Sequence, residues 1–389
     1  MRSPVPEFLA LTDEQREIRR VAHDFAAESI APHSAQWDRE AHFERTLVRQ
    51  MGDLGFMGML LPEEWGGLGL DTTTYLLVLE EIATIDASAA LLMSVHNSLP
   101  SNMILRRGTA GQKERFLRPM ARGEMLGAFA LSEPDAGSDA SALRAQAVRD
   151  DGCWVINGTK AWVTCGNEAG VILALVRTDS PGARRGARGI SAFIVTPDLP
   201  GFRVGKKEDK MGLRASPTVQ LVFENLRVPS ENLLGELGEG FVYAMQSLEH
   251  GRLGIAAQAL GIARAAFEHA VRYAAERKQF GKAIKEHEAI QFKLADMAAR
   301  VTTARALLYA AAAAKDRGER VAQLAAMAKL TASETAMWVA TQAVQVFGGY
   351  GYVTDYPVER LFRDAKVTEI YEGTSEIQRI VIARELYND

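Results

Sequence analysis

Cysteine is nearly absent from this sequence: Cys153 and Cys165 are the two in 389 residues. A disulfide-stapled secreted scaffold is therefore not the expectation. The two thiols bracket an expected hairpin out of register and are not paired with each other. Long apolar runs are missing too. Ala306 to Ala314 is too short for a membrane span. The first residues, Met1 to Pro6, carry neither the apolar stretch of a secretory signal nor a long Arg/Ser-rich leader. These features point to a reducing, cytoplasmic-type compartment, or to a mitochondrial matrix if a transit peptide has been removed. Seven scattered histidines include no H-E-x-x-H and no metal-ligand spacing. A net charge of −4 gives no basis for nucleic-acid binding. What remains is 47% hydrophobic and 24% charged, the balance of a globular protein with two or three domains.

The chain changes character twice, and no internal repeat is found. Its first third is helical. Thr12 and Gln15 form a capping box, with Ile18, Val21, Ala22 and Phe25 following on one face. Pro32 ends or bends that helix. Pro62 to Gly69 reads as a tight loop, and Thr72 to Ala83 and Ala87 to Leu105 as further helices. From Leu126 the pattern is β. Asn157-Gly158 between Trp154-Val155-Ile156 and Lys160-Ala161-Trp162-Val163 predicts a hairpin with a type I′ turn. Val171 to Val176, Ile190 to Val195 and Thr218 to Val228 are further strands, and Thr178 to Arg188 a mobile loop. From about Gly240 helical stripes return, one through Ile255, Ile262 and Tyr273, another through Met297, Val301 and Leu308. Ala322 to Val346 is a third long helix. The expected fold is α+β with three domains: helical over 1–125, an antiparallel β-barrel over 126–235 and a four-helix bundle over 236–389, its fourth member the helix from Ile377.

The chemistry concentrates in Ile370-Tyr371-Glu372-Gly373-Thr374-Ser375-Glu376-Ile377-Gln378. Ser375 and Gln378 make an S-x-x-Q capping box, which puts Glu372 on a loop just before a helix. Gly373 lets a ligand approach the backbone. Free N–H groups there can hold an oxyanion beside a carboxylate base. Complementing the helix dipole would explain the same carboxylate. Three further segments could touch a ligand. Phe129 to Asp139 sets small hydroxyls around a Pro-fixed turn. Lys160 to Thr164 puts a Trp near a hydroxyl, suited to a planar ring. Glu276 to Lys282 ends a long helix in cations, and Arg277 suits a pyrophosphate.

Taken together, these segments resemble the acyl-CoA dehydrogenase family over essentially the whole chain, in the family's order and spacing. The resemblance implies FAD and dehydrogenation of an acyl-CoA thioester across its α and β carbons. Polarisation of the thioester carbonyl by the Glu372 N–H and a flavin ribityl hydroxyl would let the Glu372 carboxylate take the α-proton. The resemblance carries Phe129, Leu131, Ser132, Gly137 and Ser138 to the flavin, with Ser138 also at the substrate. Trp162 and Thr164 join them, as do Thr374 and Glu376. Arg277 and Phe280 would meet the pyrophosphate, with Gln345, Gly348 and Gly349 completing that site from a neighbouring subunit. Glu249, Arg252, Tyr371 and Gly373 would border the substrate.

Some family branches are disfavoured. The isovaleryl type places its base at the position of Gly251, where glycine cannot serve. The glutaryl type carries an Arg where Ala90 stands. The family's downstream Gln falls at Glu288, whose charge a pyrophosphate would repel, so Glu288 is left out of the site. The motifs resemble short-chain and short branched-chain members. Electron-transferring flavoprotein is the implied acceptor and a homotetramer the implied assembly. An acyl-CoA oxidase or a non-catalytic helical scaffold are the alternatives, and a nitroalkane-oxidase-like member would carry Asp at position 372.

Overall fold

The computed structural model describes residues 4–179 and 186–387. Part of the expected mobile loop, residues 180–185, lies outside them. α1 (Asp13–Phe25) opens on the capping box, Gln15 N donating to Thr12 Oγ1 and Thr12 N to Gln15 Oε1, both at 3.1 Å. Pro32 sits in the first turn of α2 (Ala31–Glu40) after one wide π-type turn, so the chain bends there. After α3 (Thr46–Asp53) come α4 (Thr72–Ile85) and α5 (Ala87–His96), capped by the carboxylates of Asp71 and Asp86. Pro100 widens the next turn before α6 (Asn102–Arg107), and the short α7 (Ala110–Gln112) and α8 (Arg118–Ala121) close the helical third.

The middle region is an eight-stranded sheet: β1 (Gly127–Ala130), β2 (Gln146–Asp150), β3 (Cys153–Thr164), β4 (Val171–Arg177), β5 (Ile190–Val195), β6 (Phe202–Lys207), β7 (Thr218–Pro229) and β8 (Leu233–Leu234). The strand order is β6-β7-β3-β2-β4-β5-β8, with β1 also on β4. Most neighbours are antiparallel, while β4 pairs in parallel with β1 and β2. The expected hairpin is corrected here. Its turn is Asp151-Gly152, with φ of 35° and 78°, and it joins β2 to β3. Asn157-Gly158 is instead a bulge inside β3: pairing steps from Ile156/Leu226 to Gly158/Phe223. Asn157 Oδ1 accepts from Asn225 N at 2.8 Å and keeps the strand running. Both Asp-Gly and Asn-Gly suit a type I′ turn, and the cross-strand partners choose between them.

The C-terminal third is built on α9 (Gly240–Glu276), buried without a break from Gly251 to Phe267. A small hairpin, β9 (Lys278–Gln279) with β10 (Lys282–Ala283), leads into α10 (Glu288–Asp316) and α11 (Ala322–Phe347). Two short helices, α12 (Val358–Thr368) and α13 (Ser375–Glu385), pack on α11. α12 is absent from the sequence reading although Val358, Leu361 and Ala365 are buried at helical spacing along it. Its charges tie it down. Arg363 holds both oxygens of Asp38 at 3.2 and 2.6 Å, and Asp364 Oδ1 accepts from Leu213 N at 2.6 Å. So α12 is bound to the first and middle regions at once, which fixes the loop after it. Among the described residues no helix is long and apolar enough to cross a membrane, and both cysteines are free.

Candidate functional site

Glu372 lies on the loop between α12 and α13. Helix α13 starts one residue earlier than the expected box requires: Thr374 is the N-cap, its Oγ1 accepting from Ile377 N at 3.3 Å. Ser375 is not the cap. Gln378, freed from that role, is fully buried and donates to Gly373 O at 2.9 Å and Glu372 O at 3.2 Å. Both carbonyls therefore point inward, and the backbone is left-handed twice, with φ of 51° at Glu372 and 93° at Gly373. Such a φ is uncommon for a residue with a side chain and signals outside support.

The carboxylate crosses to α9. A Cβ built on Gly251 would overlap Glu372 Oε2 and stand 2.9 Å from its Cδ. Any side chain at 251 would displace the acid. Both Glu372 oxygens are shut off from solvent and have no hydrogen-bond partner. Burial accordingly raises its pKa to about 7, against the opposing pull of Lys329 and Arg252. Arg252 is buried on α9 with its Nε unpartnered. Among the described residues no hydrogen bond engages the Glu372 N–H.

Beyond Glu372 along α9 the space closes quickly. A Cβ on Gly254 would overlap Ser94 Oγ and lie 3.5 Å from Tyr75 Oη. The Tyr371 hydroxyl donates to Gln258 Oε1, and Gln258 Nε2 donates to Ala87 O at 2.6 Å. Gln258 was missed by sequence reasoning, although a glutamine amid the small and apolar residues of a buried helix was a usable signal.

A second cluster forms around the 131–139 turn. Glu133 and Ala136 exchange backbone hydrogen bonds of 3.0 and 3.1 Å. Ser132 O accepts from Ala161 N at 2.9 Å, joining the turn to β3. Beneath it the fully buried Lys160 donates to Leu131 O at 3.0 Å and Glu133 Oε1 at 2.8 Å. Gly137 and Ser138 are exposed, and a Cβ on Gly137 would meet open space. A second bulge in β3 turns Trp162 outward, with φ of 60° and 63% exposure. Phe129, Leu131, Ser132, Trp162 and Thr164 thus share one region of the sheet.

The third cluster is a cleft of about 1000 Å³ at the far end of the bundle, lined by Arg277, Phe280, Gly348 and Gly349 among others. The Arg277 guanidinium lies 5.5 Å from the Tyr350 ring centre and has no carboxylate partner among the described residues. Phe280 is 93% exposed. Gln345 is exposed on the last turn of α11 beside the cleft. Glu288 is the first residue of α10, where it complements the helix dipole, and does not line the cleft. An unpaired guanidinium, side-chain-free backbone and exposed aromatic rings fit a planar dinucleotide with a pyrophosphate. No hydrogen bond or ion pair among the described residues joins this cleft to the Trp162 cluster. Thr374 and Glu376 lie at the start of α13, Thr374 engaged as the cap and Glu376 exposed. Glu249 is partly buried, just short of Arg252 on α9.

Comparison with known proteins finds relatives along nearly the whole chain. Three family profiles match: acyl-CoA dehydrogenase, N-terminal domain, at residues 12–124; middle domain, at 128–226; and C-terminal domain, at 238–387. The chain is 49% identical over 382 residues to the mitochondrial short-chain specific acyl-CoA dehydrogenase of Mus musculus, covering 98% of this chain and 92% of that one. The solved butyryl-CoA dehydrogenase of Megasphaera elsdenii superposes with a TM-score of 0.95 at 44% identity, over 98% of this chain and 100% of that one. A chain in the structure described as the electron transferring flavoprotein of Acidaminococcus fermentans matches with a TM-score of 0.95 at 47% identity, over 99% and 100%.

Proposed function

The chain belongs to the acyl-CoA dehydrogenase family, and we propose that Glu372 is the base with which it dehydrogenates a short acyl-CoA thioester. The observation that carries this is the carboxylate itself: two unpartnered oxygens, sealed from water, against a wall that Gly251 leaves bare. Structural carboxylates are buried with partners. One buried without any is held ready for a proton.

The protein is an FAD-dependent oxidoreductase. When bound, FAD supplies the two-electron acceptor for the hydride leaving the β-carbon. The chain's own groups do the rest. The Glu372 N–H is free to donate to the thioester carbonyl and lower the α-carbon's hold on its proton. The Glu372 carboxylate takes that proton, and the C–H electrons become the α,β double bond. Trp162, Thr164 and the 129–138 segment would hold the flavin ring, and Arg277 with Phe280 the pyrophosphate. That no hydrogen bond or ion pair among the described residues joins that cleft to the ring cluster supports completion of each site by a second subunit, Gln345, Gly348 and Gly349 included. Ser94, Tyr75, Gln258 and Tyr371 pack tightly on α9 past Glu372, which favours a short acyl chain. Electron-transferring flavoprotein is the acceptor this reading names. The two free cysteines fit a cytoplasmic-type compartment.

The test is the visible spectrum of purified protein under anaerobic conditions as short, medium and branched acyl-CoAs are added. Short thioesters should bleach the flavin band in the wild type. Glu372→Gln should keep its flavin but slow bleaching by about 10²–10⁴-fold or more. Undiminished bleaching in the variant would remove Glu372 from the role.

A further inference from the structure

Bonded to the Glu372 turn stands a buried cation that the reaction as described does not use. Lys329 is fully buried on α11. Its neighbours on the same helix face, Ala325, Ala326, Ala332 and Ala336, are all buried. A lysine on such a stripe loses its hydration, and the fold must give it something in return. Its Nζ donates to Gly373 O at 2.8 Å. With Gln378 on the same carbonyl, two buried donors grip Gly373, the second of the two left-handed residues.

Resting on the reading of Glu372 as the base, we propose that Lys329 is a positioning residue for it. Its ammonium locks the Glu372–Gly373 backbone from behind and sets the electrostatic environment in which the carboxylate works. The lysine touches neither substrate nor reacting atoms. It acts through the turn, by a bond to Gly373 O, and through space, by its charge.

The charged and titratable groups around Glu372 are few. Lys329 faces it from α11, Arg252 from α9 and the Tyr75 hydroxyl from α4, with Tyr371 next to it in sequence. Glu369 and Glu376 bear on the lysine, and Glu249 on Arg252. Burial drives the Glu372 pKa up and the two cations hold it down, Lys329 most. Lys329 itself is pushed down to about 8 by burial. Removing its charge leaves burial opposed by Arg252 alone. Less of the carboxylate is then ionised at neutral pH, and the acid limb of the rate moves to higher pH.

The experiment compares holoenzyme carrying Lys329→Met, Lys329→Gln and Lys329→Arg with wild type. It measures single-turnover flavin bleaching by butyryl-CoA across pH and the dissociation constant of crotonyl-CoA. The Met variant should keep its flavin and bind crotonyl-CoA within about threefold of wild type. It should bleach about fivefold more slowly at neutral pH, with the acid limb raised by about one unit. The Arg variant should restore the limb. A Met variant with the wild-type limb overturns the proposal, as does an Arg variant no better than Met. If the Met variant does not fold, Gln decides: a folded Gln variant with an unshifted limb overturns it equally. Failure of Glu372 as base would show separately, as bleaching that survives Glu372→Gln.

Discussion

Two buried lysine–glutamate arrangements in this molecule are made of the same residue types and do opposite things. In the sheet, Lys160 and Glu133 form an ion pair at 2.8 Å. The carboxylate is saturated: Oε1 also accepts from Ala145 N at 2.9 Å, and Oε2 from Arg144 N at 2.6 Å. In the bundle, Lys329 also has a buried carboxylate nearby but bonds to a carbonyl, and Glu372 is left with nothing. Burial lowers both lysines to about 8. The difference lies in the acids. A carboxylate with its lone pairs filled is a staple, and one with them empty is a reagent. Only the second has a reason to be strained, and only the second stands at a left-handed φ.

Breaking the staple should produce the largest effect on the fold. Lys160→Met leaves Glu133 charged and buried without its cation, a loss of about 3–5 kcal/mol. A falling thermal midpoint and flavin lost on gel filtration would register it. Next is Gly251→Ala, which forces the Glu372 carboxylate from its position while leaving the sheet alone. Flavin content should hold, and bleaching by butyryl-CoA should slow by up to about 10²-fold, the scale of a misplaced catalytic group. A smaller effect is the pH response. As the proposed base, Glu372 works ionised, and its pKa is raised to about 7. Single-turnover bleaching should therefore hold above pH 7 and fall about tenfold per unit below it.

The smallest effect tests the reagent's cost to the fold. A raised carboxylate pKa means that, as pH climbs from the unfolded value near 4.5 to about 7, the unfolded chain ionises first and the native state loses stability. Glu372→Gln escapes this. Its thermal midpoint should exceed the wild type's by a few degrees at pH 8, and the gap should close below pH 4.5. Glu133→Gln should go the other way, falling below wild type at pH 8. Equal behaviour of the two variants would erase the contrast.

Much of this was legible in the sequence. The Thr12 cap, the strands at 171–177, 190–195 and 218–229 and the long helices follow from patterns that local chemistry enforces. Glu372 was legible through its setting before Gly373 and a helix start. Asn157-Gly158 shows the limit: two dipeptides could make the turn, and pairing with β7 settled which one does. α12 carries a local signal in Val358, Leu361 and Ala365, but the contacts of its charges with Asp38 and Leu213 are ones no local pattern reveals. Lys160 and Lys329 were invisible as buried groups, since a lysine in a sequence reads as surface.

By itself, then, the sequence determined three regions, their element types and a carboxylate set beside a glycine before a helix, because helix periods, strand alternation and capping are short-range interactions. Tertiary structure alone decided which acid has its lone pairs filled. That outcome depends on whether the Arg144 and Ala145 amides, or a bare Gly251, stand against the carboxylate. Desolvation and distance set a charge's chemistry, and both are properties of what the rest of the chain packs around it.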